Sequence, residues 1–167
     1  MLAVWSWHTF WLLGHILLVI VAFGPTFTFP GVAAMARKDP AHAIAYSKVI
    51  HFVEQRMTIP LAVLVPLFGV GLIYTAHIDL WKSEWLVISI VLYIAAFFFA
   101  LLVQLPNSTR MVDMLTGMPP GPPPPDAVPP AELQALGKKL QFGGMYLTFS
   151  VLVILVLMIW QPGASFT

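Results

Sequence analysis

The chain has 167 residues, of which 59% are hydrophobic and 9% are charged, and its formal net charge is +1. Ordinary soluble domains carry roughly 25% charged residues, so the composition excludes a protein of that class. A net charge this small gives no basis for a nucleic-acid partner. The chain contains no cysteine, which excludes disulfides, thiolate metal sites, cysteine nucleophiles and c-type haem attachment.

Four long apolar runs occupy most of the chain, at residues 5–29, 57–76, 85–105 and 142–160. A helix needs about 20 apolar residues to cross the hydrocarbon core of a bilayer, and each run contains no Asp, Glu, Lys or Arg. The first run lacks the basic segment and cleavage pattern of a signal peptide. The sequence therefore predicts an all-α integral membrane protein, with a four-transmembrane-helix bundle forming a single domain over residues 1–167.

Basic residues are distributed unevenly among the three predicted connections. The first and third connections carry clusters of them, whereas the second carries only Lys82. The clustered residues are Arg37, Lys38, Lys48, Arg56, Arg110, Lys138 and Lys139. Because basic loops remain in the cytoplasm, we expect both termini to face outward.

The tryptophans support the same orientation independently of the charges. In that orientation every tryptophan falls near the outer interface, where aromatic belts form in membrane proteins. These residues are Trp5, Trp7, Trp11, Trp81, Trp85 and Trp160.

Prolines and glycines predict where the helices loosen, begin and end. Gly24-Pro25 should loosen the first helix, Pro30-Gly31 should end it, and Leu105-Pro106 should end the third. Asp39-Pro40 predicts a helix start, so an amphipathic cytoplasmic extension over 41–56 should lead into the second span.

Within the second span, Pro60 and Pro66 should bend the helix, and the carbonyls freed there must find partners. Gly69 and Gly71 would allow another helix to approach closely.

A proline-rich cytoplasmic loop at 118–130 precedes the last span. Such a tract favours an extended polyproline II conformation, which suits either a stiff linker or a docking strip for a neighbouring subunit. Pro130 predicts the start of the fourth helix. Gly143 and Gly144, near the inner interface, predict tight packing against another helix.

The first helix carries two histidines, His8 and His15. Their spacing of seven places them on one face, about 10.5 Å apart along the axis, so one iron cannot bind both. His15 lies well inside the span and is the better candidate for a b-type haem ligand. The alternative is a neutral histidine that bonds to a neighbouring hydroxyl or carbonyl.

A metal site at the outer face is a second candidate. His8, His77, Asp79 and Glu84 fall near that interface, and such a mixture of ligands can bind copper or zinc. The alternative is that these are solvated loop residues.

His51 and Glu54 are three residues apart on the predicted helix. Di-iron bundles use paired Glu-x-x-His motifs, but here the order is reversed and a single copy is present. Glu54 could instead form a structural ion-pair network with Arg56.

The segment Trp7–Pro25 (WHTFWLLGHILLVIVAFGP) resembles the first helix of a bacterial membrane superfamily. This group includes HemJ-type protoporphyrinogen oxidases, CopD-type copper-resistance proteins and several uncharacterised families. Its first helix carries a histidine followed by a glycine, here His15 and Gly24. The resemblance fades within the third span, after continuing through Glu54, Arg56, Pro60, Gly71–Thr75 and Lys82–Leu86.

The chain departs from the oxidases of that superfamily at a residue that matters for activity. HemJ-type oxidases present a functional lysine in the third helix, and the matching position here is Ser89, which cannot supply an amine. The arginine that usually follows their first helix is also out of register, Arg37 being the nearest. The resemblance therefore implies one of the uncharacterised families, in which haem binding at His15 remains open and the missing lysine argues against porphyrinogen oxidation.

Together these observations predict an accessory subunit of a larger membrane electron-transfer complex in the bacterial inner membrane, carrying haem b or no cofactor. Its expected partners are the lipid bilayer and other membrane subunits, or further copies of itself. Two alternatives stay open. One is a haem-dependent oxidase of tetrapyrrole intermediates, and the other is a CopD-like copper-handling protein that uses His8 and His77.

Overall fold

The computed structural model describes residues 6–119 and 128–162. In this part of the chain all regular structure is helical, and four helices are long and apolar enough to cross a membrane. They are α1 (Trp7–Lys38), α2 (Pro40–Thr75), α3 (Glu84–Thr116) and α4 (Ala131–Trp160). The predicted all-α integral membrane protein with four spanning helices is confirmed.

Each helix is longer than the hydrocarbon core. Lengths of 30 to 36 residues correspond to about 45 to 54 Å at 1.5 Å per residue, whereas the core is about 30 Å thick. The first and third connections lie at one end of the bundle. We call it the basic end, because the clustered lysines and arginines lie in these connections or in the helices next to them.

Two predicted helix ends were wrong. Pro30 and Pro106 do not end helices but lie in the first turn of helical segments that continue α1 and α3. A proline is tolerated there because the first turn does not use its missing N–H. A 3₁₀ segment at Gly24–Thr28 precedes the first of these prolines, so the regular α-helix is interrupted at Gly24-Pro25, where the sequence predicted a loosening.

The start of α2 lies where the sequence predicts it. A 3₁₀ turn begins at Pro40 and leads into regular α-helix at Ala43. The Asp39 carboxylate contacts the His42 ring Nδ1 at 2.8 Å rather than capping the backbone. Further along, α2 passes through a π-helical segment at Glu54–Thr58, immediately before Ile59 and Pro60.

Two glycines bring α1 and α2 together. A Cβ added to Gly14 would overlap the Phe68 ring, and a Cβ added to Gly71 would overlap the Trp11 ring. Each helix therefore supplies one bulky ring and the space for the ring of the other, and Trp11 and Phe68 meet edge to face at 5.1 Å. The close approach predicted for Gly71 is confirmed.

The contact between α3 and α4 also depends on a glycine. A Cβ on Gly143 would overlap the Gln104 side chain, and Phe99 packs edge to face against Tyr146 at 4.9 Å. The tight packing predicted for Gly143 is confirmed, whereas Gly144 has open space in front of it.

The halves of α2 and α3 nearest the basic end pack side by side and antiparallel, as the short connection between these helices predicts. At the same end, Arg110 of α3 forms an ion pair with Glu132 of α4. The predicted linker or docking strip falls largely on residues 120–127, which lie outside the described residues.

The outer faces of the helices are apolar and suited to contact with lipid. Leucine, isoleucine, valine and phenylalanine side chains are exposed along all four helices. Trp7, Trp81 and Trp160 are exposed at the end opposite the basic end, whereas Trp85 is buried. Trp5 lies outside the described residues, and the orientation of the bundle across the membrane stays a prediction.

Candidate functional site

His15 lies half-buried in the interface between α1 and α2. Its Nδ1 is 3.0 Å from the Val65 carbonyl oxygen, and its ring lies against Gly69. A carbonyl only accepts hydrogen bonds, so in neutral His15 the proton is on Nδ1 and the lone pair is on Nε2. The bond to a carbonyl that the sequence left open as an alternative is present, and it leaves Nε2 able to bind a further group.

The helix around Val65 is shaped by a proline. Pro66 has no N–H, so the Ala62 carbonyl loses its usual helical donor. The Tyr93 hydroxyl of α3 donates a hydrogen bond to that carbonyl. This contact confirms the expectation that a carbonyl freed by proline finds a partner, but the sequence did not indicate Tyr93 as the donor.

His8 lies two helical turns from His15 and is bonded elsewhere. Its Nδ1 is 3.1 Å from the Thr75 hydroxyl oxygen at the end of α2. His8 and His15 thus each use Nδ1 in a hydrogen bond, and His15 is the one of the two that lies well inside the first predicted span. If the chain holds haem, His15 would bind it through Nε2, and the haem would supply one-electron transfer.

The four outer residues with metal-ligand chemistry do not form one cluster. In the described part of the chain, no three His, Asp or Glu side chains come together in a way that could hold a metal ion. Asp79 instead accepts from the Trp81 N–H at 3.1 Å and pairs with Lys82 at 3.3 Å. His77 follows α2 in a left-handed conformation, with φ of 53°, and its pairing with His8 stays a prediction.

Ser89 is fully buried in α3. Its hydroxyl donates to the Trp85 carbonyl one turn earlier, at 2.7 Å. Such a bond satisfies the hydroxyl within its own helix, so in this conformation the hydroxyl proton of Ser89 is not free for another acceptor.

A second group of polar side chains lies between α2 and α3 toward the basic end. Glu54 is only 6% exposed, and its Oε2 has no hydrogen-bond partner among the described residues. The Thr58 hydroxyl is likewise buried without such a partner. Arg56 is exposed and forms no ion pair with Glu54. The alternative of an ion-pair network between these two residues was therefore wrong.

Ser108 of α3 completes this group, and the sequence analysis missed it. Its hydroxyl is 3.2 Å from His51 Nδ1 and also interacts with the Glu54 carboxyl. The available signal was the antiparallel arrangement of α2 and α3. In such a pair, residues that lie similarly far along the chain from the connection, as Glu54 and Ser108 do, fall at similar depths.

The fold and these two sites define an integral membrane protein whose polar groups are concentrated in the interfaces between four helices. The chain belongs to the family described as "Predicted integral membrane protein (DUF2269)", which matches residues 9–162. No curated protein and no solved structure matched the chain.

Proposed function

We propose that the protein is an accessory subunit of a larger electron-transfer complex in the bacterial inner membrane and binds haem b through His15 Nε2. The observation that supports this most is the contact between His15 Nδ1 and the Val65 carbonyl. Histidines that bind metals commonly donate their other N–H to a carbonyl or carboxylate, which fixes the ring and makes the ligating nitrogen more basic.

The surroundings of His15 support a permanent ligand rather than a mobile one. The backbone around Val65 is fixed by the Tyr93 bond to Ala62 and by the interlocked rings of Trp11 and Phe68. A ring held in this way keeps its Nε2 in one direction, as an axial ligand requires. A bound haem would supply one-electron transfer.

An accessory role is favoured by the apolar surface and by His15 being the one histidine that the sequence places well inside a span. Partners that cover part of this surface would be other membrane subunits or further copies of the chain, with lipid over the rest. The Ser89 hydroxyl in place of an amine disfavours the alternative of a HemJ-like oxidase of tetrapyrrole intermediates.

A CopD-like copper-handling protein is the other alternative. It would use His8 and His77 at the end opposite the basic end, and the described residues offer those histidines no third His, Asp or Glu ligand. Copper binding that is lost in His8→Ala and His77→Ala, with no haem signal, would favour this function over the proposed one.

The test is a reduced-minus-oxidised absorption spectrum of protein purified in mild detergent with its partners. We expect a b-type signal that is lost in His15→Ala and retained in the matched control His8→Ala. A folded native protein without a haem signal, or a signal unchanged in His15→Ala, would overturn the proposal. Oxidation of protoporphyrinogen by the isolated chain would favour the oxidase instead.

A further inference from the structure

We propose that Glu54 is a proton-binding site that exchanges protons with the basic end of the bundle through Ser108 and His51. This site is separate from His15, and the inference does not depend on haem binding. It rests on the burial of Glu54, which is 6% exposed, and on its oxygen Oε2, which has no partner in the described residues.

The position of Glu54 makes a permanent negative charge unfavourable. It is buried within the helix bundle, about 31 Å from the Thr75 end of α2 at 1.5 Å per residue. A buried carboxylate must be paired, bind a cation or take up a proton. No lysine, arginine or histidine lies within ion-pair distance of it among the described residues.

The neighbouring groups suit a proton better than a metal cation. Ser108 supplies the hydroxyl that interacts with the carboxyl, and the buried hydroxyl of Thr58 lies one turn further along α2. Calcium and magnesium need about six or more oxygen ligands, whereas a proton needs one carboxyl oxygen. A sodium ion would also require more ligands than these side chains supply, and it is treated below as an outcome of the test.

The route to the basic end consists of two side chains. His51 lies one turn before Glu54 and is partly exposed, and its Nδ1 is 3.2 Å from the Ser108 hydroxyl oxygen. Ser108 in turn interacts with the Glu54 carboxyl. The hydroxyl can accept a proton on one side and donate one on the other.

The transfer is balanced in protons and charge. An imidazolium at His51, formed with a proton from water at the basic end, gives its Nδ1 proton to Ser108 Oγ. Ser108 gives its own hydroxyl proton to the Glu54 carboxylate at the same time. The products are a neutral imidazole protonated on Nε2, an unchanged serine hydroxyl and a neutral carboxylic acid.

The other titratable groups on the helices that pack around Glu54 either bond to other residues or are exposed. On α1, His8 and His15 bond to Thr75 and Val65. On α3, Arg110 pairs with Glu132. The remaining charged groups on the four helices lie on exposed faces; they are Arg37, Lys38, Lys48, Arg56, Glu84, Asp113, Lys138 and Lys139.

The helix geometry at this depth is unusual in both partners. In α2 the Ile59 N–H bonds to the Glu54 carbonyl, and in α3 the Leu105 N–H bonds to the Ala100 carbonyl, five residues back in each case. A proline follows at the next residue of each helix, so two carbonyls per helix lack their usual donors. Such π-helical segments occur frequently at functional sites, and the one in α2 begins at Glu54 itself.

The first experiment labels the purified full-length protein with a hydrophobic carbodiimide, which reacts with protonated carboxyls in apolar surroundings, and locates the adduct by mass spectrometry. We expect labelling at Glu54 that falls as the pH rises, none there in Glu54→Gln, and little at the exposed Glu84. No adduct at Glu54, or a yield there that does not depend on pH, would overturn the proposal. If sodium protects Glu54 from labelling at constant pH, the site binds a metal cation rather than a proton, and the proposal is overturned.

The second experiment tests the route. Infrared spectroscopy follows the exchange of the Glu54 carboxyl proton for deuterium after transfer to heavy water. We expect Ser108→Ala and His51→Phe to slow exchange roughly a hundredfold, the lower end of what a positioned proton-transfer group contributes, and Ser108→Thr to keep the native rate. Native exchange rates in Ser108→Ala would show that protons reach Glu54 by another path.

Discussion

Tyr93 shows how one side chain can compensate for a proline in the middle of a membrane helix. Pro66 removes an N–H from α2, and in lipid no water replaces the lost donor. The Tyr93 hydroxyl reaches from α3 to the Ala62 carbonyl and satisfies it. The same bond joins α2 and α3 outside the region near the basic end where the two helices pack most closely.

We therefore expect Tyr93→Phe to destabilise the bundle by about 1 kcal/mol, because interhelical hydrogen bonds in membranes contribute about 0.6 to 2 kcal/mol. Unfolding by detergent titration measures this loss. Tyr146→Phe is the matched control. The Tyr146 ring packs against Phe99, and its hydroxyl forms no hydrogen bond with the described residues. Equal losses in the two variants would contradict this role for Tyr93.

The candidate residues differ in how far the sequence could predict them. His15 could be selected because it is an ionisable side chain at membrane depth, but its Val65 acceptor depends on how α1 and α2 are rotated against each other. Glu54 could be noticed on its helix, whereas its neighbour Ser108 comes from α3 and becomes visible only in the folded bundle. A sequence pattern predicts which residues share a face of one helix, but it does not predict which residues of two helices come into contact.

At the scale of helical elements, α1 and α2 are held together by reciprocal insertion of rings at glycines. Gly14 accepts Phe68 and Gly71 accepts Trp11. The apolar side chains of both helices would be equally well solvated by lipid, so close packing rather than hydrophobic exclusion stabilises this pair.

We expect Gly71→Ala and Gly14→Ala to destabilise the protein by about 1 to 3 kcal/mol each, as overpacking does when a ring must move. The measurement is again unfolding in detergent. Gly144→Ala, which has open space before it, should leave stability unchanged or raise it, because alanine is the better helix former. Native stability in both Gly14→Ala and Gly71→Ala would contradict the proposed packing.

The helix breaks show where local sequence rules can be misread. Pro30 and Pro106 suggested helix ends because proline interrupts regular helix. In the structure each lies in the first turn of the next helical segment. Whether a proline ends a helix or restarts it depends on the preceding turn, which is 3₁₀ in α1 and π-helical in α3.

At the scale of the whole molecule, the apolar periodicity was sufficient to predict four spanning helices. The number of apolar runs and their lengths follow directly from bilayer thickness. The basic end contains the clustered cations that predict its cytoplasmic location, and the exposed tryptophans lie at the other end.

The absence of native cysteine allows this orientation to be tested directly. In intact cells we expect a membrane-impermeant thiol reagent to label Lys82→Cys, in the second connection. The same reagent should label Lys139→Cys, near the basic end, only after the membrane is opened. The reverse pattern of labelling would show that the termini face the cytoplasm.

The measurement that tests haem ligation by His15 most directly is chemical rescue. The variant His15→Gly removes the ring and leaves a space into which free imidazole can diffuse. We predict that the reduced-minus-oxidised b-type signal of the native protein disappears in His15→Gly and returns when imidazole is added. A signal that persists in His15→Gly without imidazole, or a folded native protein with no such signal, would contradict ligation by His15.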